Sequence, residues 1–243
     1  MLEVCVDNIE SAIAAAEGGA KRIELCAALS EGGLTPTPGL LKTIKNHIKD
    51  TVDIYVMLRP RGGSDFAYSD LEMNILLEDI KIFKEYKADG FVFGALTLDG
   101  KIDSIKCKQI LEACKPLPVT FHRAFDVCSE PFDSLETIIE LGFVRLLTSG
   151  LKNNAYDGLD NIIRLVTQAA NRIFIMPGSG VSLTNIKDIF FKSGVKEIHA
   201  SARVKRSVNF HRQSNISFSN DDNNTFVTDS KLVEELVKSI KTL

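Results

Sequence analysis

Along this chain, short blocks in which apolar and polar residues alternate with a period of two are separated by longer blocks with a helical period. LEVCVD (2–7) sets Leu2, Val4 and Val6 on one face and Glu3, Cys5 and Asp7 on the other. RIELCA (22–27) repeats the scheme, with Ile23, Leu25 and Ala27 against Glu24 and Cys26, and Arg22 at its start. Further strand patterns lie at 53–60 (DIYVMLRP), 90–97 (GFVFGALT), 118–124 (PVTFHRA), 144–150 (VRLLTSG), 172–178 (RIFIMPG) and 197–203 (EIHASAR). The blocks between them read as helices. SDLEMNILLEDIKIFKEYK opens on Ser69 as an N-cap with Glu72 at the capping-box position, and several others close on a glycine suited to a helix C-terminus.

Strands that alternate with helices eight times over predict a single-domain (β/α)8 barrel, the TIM-barrel architecture, across residues 1–243. A doubly wound sheet would offer fewer strands and an early glycine-rich fingerprint, and no GxGxxG follows the first strand. Residues 203–229 break the rhythm as a long loop before the C-terminal helix. Its SNDDNNT stretch reads as a mobile tip, and its Arg203, Lys205, Arg206 and Arg212 can either fold over an anion or stay solvated.

In such a barrel the uniformly apolar face of each strand packs on the helices and the opposite parity points inward. That puts Glu3, Cys5, Asp7, Glu24, Cys26, Met57, Arg59, Thr120, His122, Ser149, Met176, Glu197, His199 and Ser201 inside, where a structural barrel holds mainly Val, Ile and Leu. Buried charge must pair or serve a ligand. An internal lattice joining Glu3 and Glu24 to Arg59 is one expectation, and a mouth lined by Arg59, Arg61, His122, Asp126 and Ser201 is the other.

The 243 residues carry a net charge of −3, with 44% hydrophobic and 25% charged positions, so no basic field attracts nucleic acid. No apolar run spans a bilayer, and MLEVCVD has neither the basic nor the apolar region of a leader, so a cytoplasmic protein is expected. Five cysteines point to free thiols in a reducing compartment.

Three groups carry candidate chemistry. His122 is the acid–base candidate, with Glu24 or Asp126 to assist it. Gly178 and Gly180 of PGSGV, with Ser201 and the arginines 59 and 61, form a candidate anion cradle, because barrels often hold phosphate after strands seven and eight. Cys5 and Cys26 share parity on neighbouring strands, so they either hold a soft ion such as copper(I) or pack as small hydrophobes. Cys107 and Cys114 read as packing residues.

The segments MLEVCVDNIESAIAAAEGGAKRIELC, EGGLTPTPGLL, MLRPRGG, VFGALTLDG, VTFHRAFD, LTSG, MPGSGV and HASAR together resemble the CutC family. The likeness runs from residue 1 to about 203 and returns in the C-terminal helix. It implies a TIM barrel, cytoplasmic and commonly homo-oligomeric, named for copper homeostasis, with copper(I) bound through cysteines that match Cys5 and Cys26. The chain departs from the family pattern with GSG in place of GGG and with its Asn-rich loop. Two functions are therefore expected in competition: copper(I) binding, or a lyase- or isomerase-like reaction on a small phosphorylated or otherwise anionic metabolite.

Overall fold

The computed structural model describes residues 1–48, 51–207 and 224–241. In chain order its elements are β1 (Leu2–Val6), α1 (Ile9–Glu17), β2 (Arg22–Leu25), α2 (Pro38–Ile48), β3 (Asp53–Met57), α3 (Asp70–Glu85), β4 (Gly90–Phe93), α4 (Ser104–Cys114), β5 (Val119–Phe121), α5 (Pro131–Leu141), β6 (Arg145–Thr148), α6 (Leu159–Ala169), β7 (Phe174–Pro177), α7 (Ile186–Ser193), β8 (Ile198–Ala200), β9 (Arg203–Ser207), β10 (Asn224–Thr228) and α8 (Ser230–Ser239). The expected eight-stranded parallel ring is present. An unbroken parallel ladder runs β7-β6-β5-β4-β3-β2-β1-β8. The ring closes where β7 comes alongside β8, a seam with no ladder among the described residues. No helix among these residues is long and apolar enough to cross a membrane.

The outward parity of the strands builds the main core. Leu2, Val4 and Val6 of β1, Ile23 and Leu25 of β2, and Phe91 and Phe93 of β4 are buried against the helices, with Leu41, Ile44, Leu76, Ile80 and Phe83 facing them. Helix α3 starts as its sequence dictates. The Ser69 side chain accepts from the Glu72 N–H, and the Glu72 carboxylate accepts from the Ser69 N–H, which satisfies two amides left open at the helix start. Strands end sooner than their apolar runs suggest, so Arg59, His122, Ser149 and Ser201 stand on the loops just past β3, β5, β6 and β8. These are the carboxyl ends, where barrels of this class place their chemistry.

The segment after β8 is not the uniform loop expected. Its two ends pair as the antiparallel ribbon β9–β10, with Val204 opposite Val227 and Lys205 opposite Phe226. The centre of the segment, including Arg212 and most of SNDDNNT, lies outside the described residues. Arg206 turns to an ion pair with Glu10 at 2.6 Å, whereas Arg203 reaches the barrel mouth.

Candidate functional site at the barrel mouth

The interior is built in tiers. At the floor, Arg22 of β2 donates through Nε to Glu3 and through Nη2 to Glu197 at 2.6 Å. Arg145 of β6 donates to both Glu197 oxygens and, at 3.1 Å, to Thr120 Oγ1. The Tyr55 ring lies beneath both guanidiniums, 5.0 and 5.4 Å away, and a Cβ on Gly90 would sit 2.6 Å from that ring, so only glycine fits there. Burial alone would raise the Glu3 carboxyl, but Arg22 and then His199 outweigh it and hold the group at about 2. The lattice expected from sequence thus exists with other partners. Arg59 takes no part in it, and Arg22 and Arg145 supply its cations. Parity did signal them, since Arg22 shares a face with Glu24 and Arg145 with Ser149.

One tier up, the β1–β2 register sets Cys5 opposite Glu24, and the β1–β8 register sets Glu3 opposite His199. One ligand atom from each of Cys5, Glu24 and His199 lies within 4.8 Å of the others, all buried. His199 Nδ1 meets Glu3 Oε1 at 2.7 Å, which turns Nε2 toward Glu24 Oε2, 3.9 Å away. Burial would push the His199 imidazole down, but the facing Cys5, Glu24 and Glu3 reverse this and hold it well above its ordinary value. Burial also pushes the Glu24 carboxyl up to about 7.

Cys26 is not level with Cys5 across the β1–β2 ladder, where strand parity alone set it and where Glu24 stands. It follows the end of β2, two residues beyond Glu24 on the same face, and its thiol donates to Glu24 Oε2 at 3.6 Å. It is packed with Tyr55, Met57 and Val92, and burial, then Glu24, raises the thiol well above its usual value. Met176 lies at the floor, its sulfur accepting from Arg22 at 3.4 Å.

Above these tiers opens a cavity of about 460 Å³, lined among others by Cys5, Glu24, Arg59, Phe66, His122, Gly180, His199, Ser201 and Arg203. On one wall His122 Nδ1 accepts the Ala124 N–H at 3.2 Å. The ring proton therefore sits on Nε2, which has no partner among the described residues. Burial, reinforced by the nearby Arg59 charge, lowers the His122 imidazole to about 3, so it is neutral at physiological pH. A Cβ on Gly94 would come 2.6 Å from His122 Nδ1, and the bare glycine gives the ring its place. Arg59 donates through Nη1 to the carbonyls of Glu31 (2.6 Å) and Gly33 (3.0 Å), and through Nη2 to Gly63 (2.6 Å). Among the described residues its Nε has no partner, and neither has Glu24 Oε1. Phe66 joins the wall's two groups, its ring 5.1 Å from the Arg59 guanidinium carbon and 5.1 Å from the His122 ring.

Other expected residues are used differently. Asp126 lines the cavity but accepts from Thr148 Oγ1 (2.5 Å), Ser149 N and Oγ, and Arg123 Nε (2.7 Å), so it ties the β5 and β6 loops and does not touch His122. Arg61 is absent from the cavity lining, since Glu72 (2.6 Å), Asp65 (2.8 Å) and the Ala67 carbonyl (2.9 Å) hold its guanidinium. Gly178 gives close passage to Leu147 and His199, whereas Gly180 and Ser201 do line the cavity. The backbone N–H groups of Ser179, Gly180 and Val181 make no hydrogen bond within the described residues. Phe66 was not legible in the sequence, because it reaches the site through a loop.

A parallel eight-stranded ring with a cavity partly lined by charged and polar residues at the carboxyl ends of its strands defines a (β/α)8-barrel protein. The chain belongs to the CutC family, whose model matches residues 1–204. It is 52% identical over 206 residues to the Homo sapiens copper homeostasis protein cutC homolog, covering 85% of this chain and 74% of that one. Against the Drosophila melanogaster homolog of the same name, identity is 51% over 203 residues, with 83% and 76% covered. The crystal structure of CutC from Streptococcus agalactiae superposes with a TM-score of 0.78 at 36% identity, covering 83% of this chain and 98% of that one. Thiamine phosphate pyrophosphorylase from Pyrococcus furiosus, 17% identical with a TM-score of 0.61 over 99% and 95% of the two chains, shares the fold.

Proposed function

We propose that this protein takes part in copper homeostasis by holding copper(I), the state a reducing cytosol supplies, at Cys5, His199 and Glu24, with Cys26 as a reserve thiol beside Glu24. The observation that carries the reading is the convergence of three buried ligand atoms within 4.8 Å of one another. The arrangement fits a metal ion in two further respects. Glu3 fixes His199 through Nδ1 and leaves Nε2 turned to the cluster, as a carboxylate does behind many metal-bound imidazoles. The raised His199 imidazole also reports the field at that point, where the surrounding acidic groups draw a positive charge to the ring, and a cation would take the proton's place.

A thiolate and an imidazole suit copper(I), which accepts few ligands. A copper ion takes the place of the proton on His199, so affinity should rise with pH. The names of the human and fly relatives support the same role.

The test is an anaerobic competition titration of copper(I) against a chromogenic chelator, on the wild type and on Cys5→Ser, His199→Gln and Cys26→Ser. Stoichiometric binding is expected to be lost in Cys5→Ser, strongly weakened in His199→Gln and least affected in Cys26→Ser. Wild-type binding no tighter than that of Cys5→Ser would sink the proposal. An equal loss in Cys5→Ser and Cys26→Ser would move the ion to the two thiols.

A further inference from the structure

Two features of the cavity are left unused by a copper ion. The first is size: about 460 Å³ lies in the range of small-molecule pockets, whereas one water takes only about 30 Å³ of liquid volume. The second is the wall of Arg59 and His122, which stand just past β3 and β5.

Arg59 is 6% exposed, yet no carboxylate pairs with it among the described residues. Its three hydrogen bonds all go to backbone carbonyls, which orient the guanidinium without neutralising it. A buried charge without a counter-ion costs several kcal/mol. The protein shows elsewhere that it can supply one, since Arg22 and Arg145 share Glu3 and Glu197. Arg59 lines the same cavity as His122, a residue only 3% exposed, and the Arg59 Nε–H and His122 Nε2–H are both buried donors without a partner among the described residues. Nδ1 is committed to Ala124, so His122 cannot present a lone pair to the cavity without changing tautomer.

Phe66 shields both groups and adopts a left-handed backbone conformation (φ 50°), uncommon for a bulky residue, with its carbonyl held by the Leu96 N–H at 2.9 Å. Strain of this kind is kept where the surroundings fix a residue for a purpose. A cation without its anion, two orphan donors and a strained aromatic lid on them share one wall.

We propose that this wall binds a small organic anion, with a carboxylate or phosphate oxygen of the ligand accepting from Arg59 Nε and His122 Nε2. The remainder of the ligand fills the cavity toward Gly180, Ser201 and Arg203. The anion supplies the negative charge that Arg59 lacks, and it satisfies both donors with charge-assisted hydrogen bonds. His122 thereby acts as a hydrogen-bond donor, where its place in the sequence suggested a general acid or base. The copper ligands stand on β1, β2 and β8 and line the same cavity, but none of them supplies either donor.

The test uses metal-free protein with ¹⁵N label, titrated at constant ionic strength with inorganic phosphate and, separately, with acetate, while the side-chain N–H signals are followed by NMR. Saturable displacement of the Arg59 Nε–H and His122 Nε2–H signals by either anion is the expected result, and the more effective of the two identifies the headgroup. His122→Phe, which keeps the ring and deletes the donor, should weaken binding about tenfold, and Arg59→Lys, which keeps the charge and deletes Nε–H, should do so by a similar factor. The Arg59→Lys spectrum also shows whether the loops that Arg59 ties remain folded. No saturable shift with either anion, or shifts that survive in His122→Phe, would overturn the site. Because copper is absent, failure here leaves the copper titration standing, and failure there leaves this one standing.

Discussion

Among the described residues, three buried arginines stand in two contrasting settings. On the floor, Arg22 and Arg145 are locked to the carboxylates of Glu3 and Glu197. At the mouth, Arg59 is similarly buried but hydrogen-bonds only to carbonyls, and its Nε, His122 Nε2 and Glu24 Oε1 are left without partners among the described residues. The floor is closed chemistry that specifies how eight strands come together. The mouth keeps its interactions open for something else to complete, and burial makes leaving them open costly. Both regions arise from the same inward parity, so charge inside a barrel does not by itself mark a site. Whether the charge is answered does.

Substitution should separate the two regions most strongly. Arg22→Met would strand Glu3 and half of Glu197 in the interior, a loss expected at about 3–5 kcal/mol in urea unfolding. Arg59→Met removes a charge that has no counter-ion and forfeits three hydrogen bonds to carbonyls, so its cost should be clearly smaller, about 1–2 kcal/mol. Equal losses in the two variants would erase the distinction.

Acid and base should also act on opposite tiers in the metal-free protein. The folded Glu3 carboxyl lies at about 2, below its ordinary 4.5, so its contribution is present above pH 4.5 and is lost as pH falls toward about 2. Glu24 has the reverse sign. Its folded value of about 7 lies above 4.5, so stability is full below pH 4.5 and drains away as pH climbs through about 7. Urea unfolding across pH should show Glu3→Gln flattening the acid limb and Glu24→Gln flattening the loss toward neutrality. A neutral-side slope that persists in Glu24→Gln would disprove the assignment.

Gly94→Ala sharpens the comparison inside the mouth. The added methyl collides with His122, and overpacking of this kind costs about 1–3 kcal/mol. Displacement of the ring should appear as a moved His122 Nε2–H signal, with the floor resonances unchanged. Smallest of all, Arg61→Ala removes a half-exposed guanidinium held by Asp65 and Glu72, and should change the unfolding free energy by at most about 1 kcal/mol.

Much of the fold was legible because period and punctuation are local. The parity of LEVCVD and RIELCA placed Glu3, Cys5, Glu24 and Cys26 inside, and Ser69 with Glu72 announced α3. Which inward side chains meet is set by register across strands and by reach across the ring, and no single segment contains that. Hence Arg59 was matched to Glu3, whose partner is Arg22, and Cys26 was set level with Cys5, where the ladder puts Glu24. Arg61 and Asp126 were read as mouth chemistry from their positions just past strand ends, but loop closure turns each onto its neighbours. The β9–β10 ribbon escaped notice because Val204, Val227 and Phe226 are scattered among charged and Asn-rich residues.

The seam between β7 and β8 gives Glu197 a mechanical meaning. A ring joined by backbone hydrogen bonds everywhere but at one gap is a split hoop, and it should spring open at the gap first. Glu197 enters β8 on one side of that gap. Its carboxylate reaches Arg145 on β6 beyond the other side and Arg22 on β2, so one side chain buckles the hoop from within. Undoing that buckle with Glu197→Gln should speed hydrogen exchange first at the amides of β7 and β8, while those of β3 and β4, diametrically opposite, keep their protection.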